Sequence, residues 1–279
     1  MEHYGKTLKQ LRKARNLSQQ ELSVGIMSRS NLSRFENQEY IPSFDKVILL
    51  LEKLGVEMDE FIYINNQYQT TLYEQLYDRL IYAENRRNHA ELMEVAAKIT
   101  ERKEKNRRFY ELYLLSQLAL LENDLRSELT TDQISLEMRA VILDTENWLF
   151  EDFRRLNNFL GMFDREEAVF LYGRAVKEFE KYEEFPRENN IRIYLALNLG
   201  QLLAEQEQGA QATFYFEQAK EYAGKRNKLF QQLTIEASLE KLSQPQIASE
   251  ENRGFLSLLA VLEQMGYEDT VASLKKYYS

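Results

Sequence analysis

Two stretches decide how this chain is read: Ser18-Gln19-Gln20-Glu21-Leu22-Ser23 and, after four intervening residues, Ser28-Arg29-Ser30-Asn31-Leu32-Ser33-Arg34-Phe35-Glu36. Ser18 offers its hydroxyl as a helix N-cap, and Glu21, three residues on, completes a capping box. Gly25 suits the turn that ends this short helix, and Ser28 caps the next one. Leu32 and Phe35 fall on an inward face, leaving Arg29, Ser30, Asn31, Ser33 and Arg34 outside. Upstream, Leu8, Leu11 and Ala14 repeat at helical spacing behind a basic face of Lys6, Lys9, Arg12, Lys13 and Arg15. Lys6, Lys9 and Arg12 on that face read equally as solvated charge or as phosphate contacts. Downstream, Pro42 and Ser43 open a helix with Val47, Leu50, Leu51 and Leu54 on its buried stripe, and Gly55 stops it. A last short helix carries Met58, Phe61 and Ile62.

Two short helices joined by a tight turn, the second exposing Arg, Ser and Asn, describe a helix-turn-helix. Arg can bond guanine bidentately, Asn can do the same for adenine, and Ser adapts to either. Together with Ile41-Pro42-Ser43 and Leu54-Gly55-Val56, these motifs resemble the lambda-repressor/Cro-like helix-turn-helix over most of residues 5–63. The resemblance implies a DNA-facing set of Gln19, Ser28, Arg29, Ser30, Asn31, Ser33, Arg34 and Ser43. Within it, Gln19 and Ser43 lie near phosphates and Arg29 to Asn31 near bases. Two departures stand out. The turn around Gly25 is one residue shorter than the usual pattern, and Asn37-Gln38 stands where a basic residue and Gly are common.

Composition sets the rest of the chain in order. Ten glycines and three prolines in 279 residues are too few for the tight turns of a sandwich or barrel, so the expected class is all-α. The absence of cysteine excludes disulfides, thiolate metal sites and a cysteine nucleophile, and two histidines exclude a histidine-rich metal site. No metal or cofactor is expected. Phosphate-cradling glycine loops, G-x-S-x-G and H-E-x-x-H are lacking, so the chain does not read as an enzyme. No apolar run of about 18 residues could span a membrane and no signal-peptide stretch opens the chain, which leads to the expectation of a cytoplasmic protein. The net charge of −9 is unevenly placed: residues 1–34 carry +5, residues 35–64 carry −5, and the whole −9 falls after residue 64. The polar stretch from Ile64 to Thr71 suggests a boundary, with a DNA-binding domain at 1–64, a linker at 65–71 and a helical domain at 72–279.

Beyond residue 70 helix pairs repeat. From Ile193 to Arg226, Leu199, Gly200 and Leu203, then Ala212, Phe216 and Ala219, match the signature of a tetratricopeptide repeat of about 34 residues. Gly200 and Ala212 let two helices approach closely, and Phe216 fills the gap to the next pair. A looser copy starts at Leu149, with Ala168, Tyr172 and Ala175 on its second helix and Arg155-Leu156 where Leu-Gly is usual. A third reading, over 70–100, rests on Ala90 and Ala97. Segments 107–122, 130–145, 229–243 and 254–277 are also helical by periodicity. The expected architecture is therefore a lambda-repressor-like domain followed by a TPR-like α-solenoid. In this repeat type the first helix of each pair lines the concave groove, which places Tyr194, Asn198 and Gln201 there. The looser copy adds Phe150, Arg154 and Asn157, with Asn158 adjacent. Asn can bond a peptide backbone through both amide atoms, and Arg can hold a carboxylate; the plainer reading leaves these groups merely exposed.

A Cro-like domain joined to degenerate tetratricopeptide-like pairs, with Glu146-Asn147-Trp148-Leu149-Phe150 and Leu156-Asn157-Asn158-Phe159-Leu160, resembles the Rgg/GadR/MutR group of transcriptional regulators. The resemblance implies a homodimer on a palindromic double-stranded operator, with a short hydrophobic signalling peptide in the groove, as in quorum sensing. The alternative is a helix-turn-helix repressor whose helical region only dimerises, without a peptide ligand. The apolar run Phe255 to Leu262 reads as dimer surface or as a core helix buried on both sides.

Overall fold

A computed structural model of the chain describes residues 3–185, 190–244, 247–249 and 251–277. Among the described residues every regular element is an α-helix or a short 3-10 turn. The chain divides into two compact units, Met1–Tyr77 and Asp78–Ser279.

The first unit holds α1 (Tyr4–Ala14), α2 (Gln19–Ser23), α3 (Arg29–Glu36), α4 (Phe44–Leu54) and α5 (Met58–Asn65). Its boundaries follow the capping chemistry. Ser18 and Glu21 close a reciprocal capping box on α2, and the Ser28 hydroxyl accepts the Asn31 N–H at 3.2 Å. Gly25 and Gly55 take positive φ of 81° and 63°, conformations that cost a side-chain-bearing residue about 1 kcal/mol or more. Gln38 adopts φ 65°, so the site where relatives of this motif carry glycine keeps the left-handed conformation here without one. The core joins Leu8, Leu22, Leu32, Phe35, Leu50 and Phe61.

Here the expected basic face needs correcting. Arg12 lies one turn after Leu8 and points inward. Its Nε and Nη2 donate to the two Glu36 carboxylate oxygens at 2.6 and 2.9 Å, and its Nη1 to the Leu17 carbonyl at 2.6 Å. It is no phosphate contact. Ala14, expected on the apolar stripe, is exposed.

The second unit takes in α6 (Leu72–Asn85) from Asp78 onward, then α7 (His89–Thr100), α8 (Arg107–Glu122), α9 (Thr131–Asp144), α10 (Phe150–Phe159) and α11 (Arg165–Phe179). It continues with α12 (Ile191–Glu205), α13 (Gly209–Lys225), α14 (Leu229–Ser243), α15 (Arg253–Gln264) and α16 (Glu268–Tyr277). Successive helices pack on one another from α7 to α10 and from α11 to α16, and α10 also packs on α12, so the first helices of consecutive pairs adjoin. The repeat signature is buried throughout: Leu199, Leu203, Ala212, Phe216 and Ala219 in one pair, and Ala168, Tyr172 and Ala175 in the other. Gly200 lies flat against the Phe216 ring, where a Cβ would come within 2.6 Å of it. In the pair α6–α7, Ala90 and Ala97 are exposed, and the buried stripe of α7 is Leu92, Val95, Ala96 and Ile99. Those two alanines therefore match the repeat only in spacing. Along α15, Phe255, Leu259 and Leu262 are buried while Leu256 and Val261 remain 37% and 42% exposed, which removes the reading of a helix buried on both sides.

Candidate functional sites in the two units

In the first unit α3 stands with Arg29, Ser30 and Arg34 exposed and Asn31 and Ser33 half-buried. Leu32 and Phe35, on the opposite face, anchor the helix in the core. Arg34 lies over the Tyr40 ring, 5.8 Å from its centroid. Gln19 opens α2, but its side-chain nitrogen donates to Glu36 at 2.9 Å. Burial alone would raise the Glu36 carboxyl; the hydrogen bonds from Arg12 and Gln19 outweigh it and hold the group below the ordinary carboxylate range. Gln19 is thus fixed in place at the α2 N-terminus, where backbone N–H groups favour an anion. Ser43 begins α4 without capping it and bonds Asp45 instead, which holds that carboxyl low. The first unit thus carries Arg29, Ser30 and Arg34 exposed on α3, with Asn31 and Ser33 half-buried beside them.

In the second unit, α10 and α12 bring together the residues expected from repeat spacing. Asn198 Nδ2 donates to Asn157 Oδ1 at 3.1 Å. Phe150 packs against Tyr182 and Phe185, with ring centroids 6.0 and 5.2 Å away. Arg154 is half-buried and pairs with Glu151 at 3.6 Å. Asn158 and Gln201 are half-buried on the same two helices. Tyr194 accepts a hydrogen bond from Gln231 Nε2 at 3.1 Å. Gln231, on α14, escaped the sequence reading because its helix carries no repeat signature; counting α14 as the first helix of a further pair would have found it.

A carboxyl pair was missed as well. Glu84, at the end of α6, is pushed up to about 7, first by burial and then by the charge of Glu122, with which it shares a hydrogen bond. Glu122, at the end of α8, is raised by desolvation and by the Glu205 carboxylate at the end of α12. Its hydrogen bond with Glu84 acts the other way. The shared hydrogen bond thus favours the protonated form of Glu84 and the charged form of Glu122. Among the described residues no group of His, Asp and Glu could hold a metal ion, and no helix is long and apolar enough to cross a membrane.

A helix-turn-helix head and a stack of TPR-like helix pairs define a class of DNA-binding regulator with a separate helical domain. Residues 8–61 match the helix-turn-helix family, and residues 97–271, more than half the chain, match the C-terminal domain of the HTH-type transcriptional regulator Rgg. The chain belongs to the Rgg family of helix-turn-helix transcriptional regulators. It is similar in fold to a Listeria monocytogenes EGD-e protein described as a transcriptional regulator (TM-score 0.78, 19% identity, covering 99% of this chain and 98% of that one). It is also similar to the Streptococcus dysgalactiae SHP pheromone receptor Rgg2 (TM-score 0.69, 18% identity, 99% and 98% covered). A third likeness is Bacillus thuringiensis PlcR, solved in complex with the peptide PapR7 and DNA (TM-score 0.65, 15% identity, 97% and 99% covered). No curated protein sequence matches the chain.

Proposed function

We propose that this protein is a cytoplasmic, homodimeric regulator of transcription, not an enzyme, whose hold on DNA is set by a short hydrophobic peptide. Residues 1–64 read the operator, 65–71 link, and 72–279 sense the peptide and dimerise. The observation that carries the peptide reading is the Asn157–Asn198 contact. Joined through one oxygen and one nitrogen, the two amides keep N–H groups on Asn157 and an oxygen on Asn198. These suit the C=O and N–H of one peptide unit. Phe150 supplies an aromatic wall and Arg154 a cation for a carboxylate. The exposed side of α15, with Leu256 and Val261, is the candidate dimer surface. Arg29, Ser30 and Asn31 read base edges, while Gln19, Ser28, Ser33, Arg34 and Ser43 position the unit on the backbone. Pheromone binding by Rgg2 and the peptide and DNA bound by PlcR support both halves of the reading.

Two protomers would place two recognition helices about one DNA turn apart. Peptide shifts the protein between arrangements only by binding one of them more tightly. The test is titration calorimetry of the full chain with synthetic short hydrophobic peptides, beside operator binding with and without peptide. Asn198→Ala and Arg154→Ala should lose the peptide response and keep DNA affinity. Arg29→Ala should lose about 1–3 kcal/mol of base discrimination. A dimer that binds operator but no peptide would favour the dimerising repressor instead.

A further inference from the structure

One position breaks the repeat. In the pair built on α12 and α13 the residue before Gly200 is Leu199, fully buried; its counterpart on α10 is Arg155, whose side chain is only 12% exposed. Arg155 Nη2 bonds Glu111 of α8 at 2.8 Å, and Nη1 bonds Asp152 of its own helix. Each carboxylate is in turn tied elsewhere. Glu111 also takes the Arg107 Nε at 3.0 Å, and Asp152 accepts the Leu149 N–H at 2.6 Å, closing the first turn of α10. A second link runs between the same helices, Arg108 to Glu151 at 3.2 Å. Burial works against the Arg155 charge, but the two carboxylates outweigh it and keep the guanidinium firmly protonated.

We propose that Arg155 is a positioning residue of the groove: by locking the first turns of α10 to Glu111 of α8, it sets the rotation at which Phe150, Arg154 and Asn157 are presented. A leucine in this slot would fill the space through contacts that tolerate sliding and rotation. A guanidinium held by carboxylates on two helices has one geometry, which is the recognised use of a buried ion pair. Its Nε is buried without an acceptor, so the arrangement is not the most stable one available. Leucine at 155 should therefore hold the fold and lose the placement.

The test uses the full chain with Arg155→Leu, Arg155→Lys and, should the first fold poorly, Glu111→Gln. Trp148, the single tryptophan, precedes α10 by two residues; it is buried edge-on against Phe153 and donates its indole N–H to the Thr145 carbonyl at 3.1 Å. Arg155→Leu should melt within a few degrees of the wild type. It should also raise acrylamide quenching of Trp148 about twofold and speed amide exchange in the first turn of α10. Arg155→Lys should restore part of both. Quenching and exchange equal to the wild type would overturn the proposal. So would an equal collapse of melting temperature in all three variants, which would mark a purely fold-supporting pair. A peptide arm rests on the groove reading above: where the wild type binds peptide, Arg155→Leu should weaken it about tenfold. If the wild type binds none, that reading falls while the Trp148 measurements still decide the role of Arg155.

Discussion

Each unit hides an arginine against carboxylates, and the two sites are finished to different degrees. In the first unit Arg12 and Glu36 have side chains 9% and 0% exposed, and the network is complete: the guanidinium meets both carboxylate oxygens and the Leu17 carbonyl, and Gln19 adds a further donor to Glu36. In the second unit Arg155 meets Glu111 and Asp152 and leaves Nε unpaired. A satisfied buried network specifies one packing for the whole small core, whereas a partly satisfied one fixes a local register at some cost. Under the proposed function, the contrast suits a head that holds one shape and a repeat stack that responds to peptide.

The sharpest way to break this comparison is to empty one side of the complete network. Glu36→Ala strands a buried guanidinium and should destabilise the first unit by about 3–5 kcal/mol. Calorimetry of the full chain should show a transition displaced to lower temperature, with operator binding lost above it. Because Glu36 titrates below its ordinary range when folded, the stability it contributes is present above its unfolded value and lost as the pH falls through the folded one. A loss no larger than that of a surface carboxylate would show that the network does not govern the head.

The same contrast explains what could be read from the sequence. The head was legible because its signals are local: Ser18 with Glu21, Ser28 with Asn31 and Gly55 at a helix end all act within a few residues. Arg12 was misread because its partner lies 24 positions away, and nothing local marks position 12 as part of the core. The repeat stack was legible only where the steric signature is strict. Asn157 and Asn198 were each placed in the groove by repeat offset, though not as partners, but Gln231, Glu84 and Glu122 belong to helices with no such signature. The α6–α7 pair shows the limit, since alanine at the right spacing pointed outward.

Close helix contacts give a second comparison. A Cβ on Gly5 would overlap the Phe35 carbonyl oxygen and lie 2.8 Å from its carbon; the nearest atoms to one on Gly200 are those of the Phe216 ring. Backbone cannot swing aside, while a ring can shift if its neighbours yield, and Phe216 is fully buried. Both substitutions to alanine should destabilise by about 1–3 kcal/mol, with Gly5→Ala at or above the upper end. Paired urea titrations, one following each unit, would reverse this ranking if the repeat stack were the more tightly packed.

The smallest expected effect separates the units by pH. Glu84, pushed up to about 7 by burial and by Glu122, binds its proton more tightly in the folded chain than in the unfolded one, where it titrates near 4.5. Its stabilising contribution is complete below that unfolded value and disappears as the pH rises through the folded one. As the pH rises from about 4.5 to about 7 the second unit should therefore soften while the first does not, because Glu36, held below its ordinary range, gives up its proton at lower pH. Glu84→Gln keeps a donor toward Glu122 and removes the charge, so it should flatten the decline and raise the melting temperature at the alkaline end. The gain should stay below about 1 kcal/mol for a group half in water. Parallel pH series of thermal unfolding for the wild type and Glu84→Gln decide it: identical slopes would remove the carboxyl pair as a proton-linked element of the repeat stack.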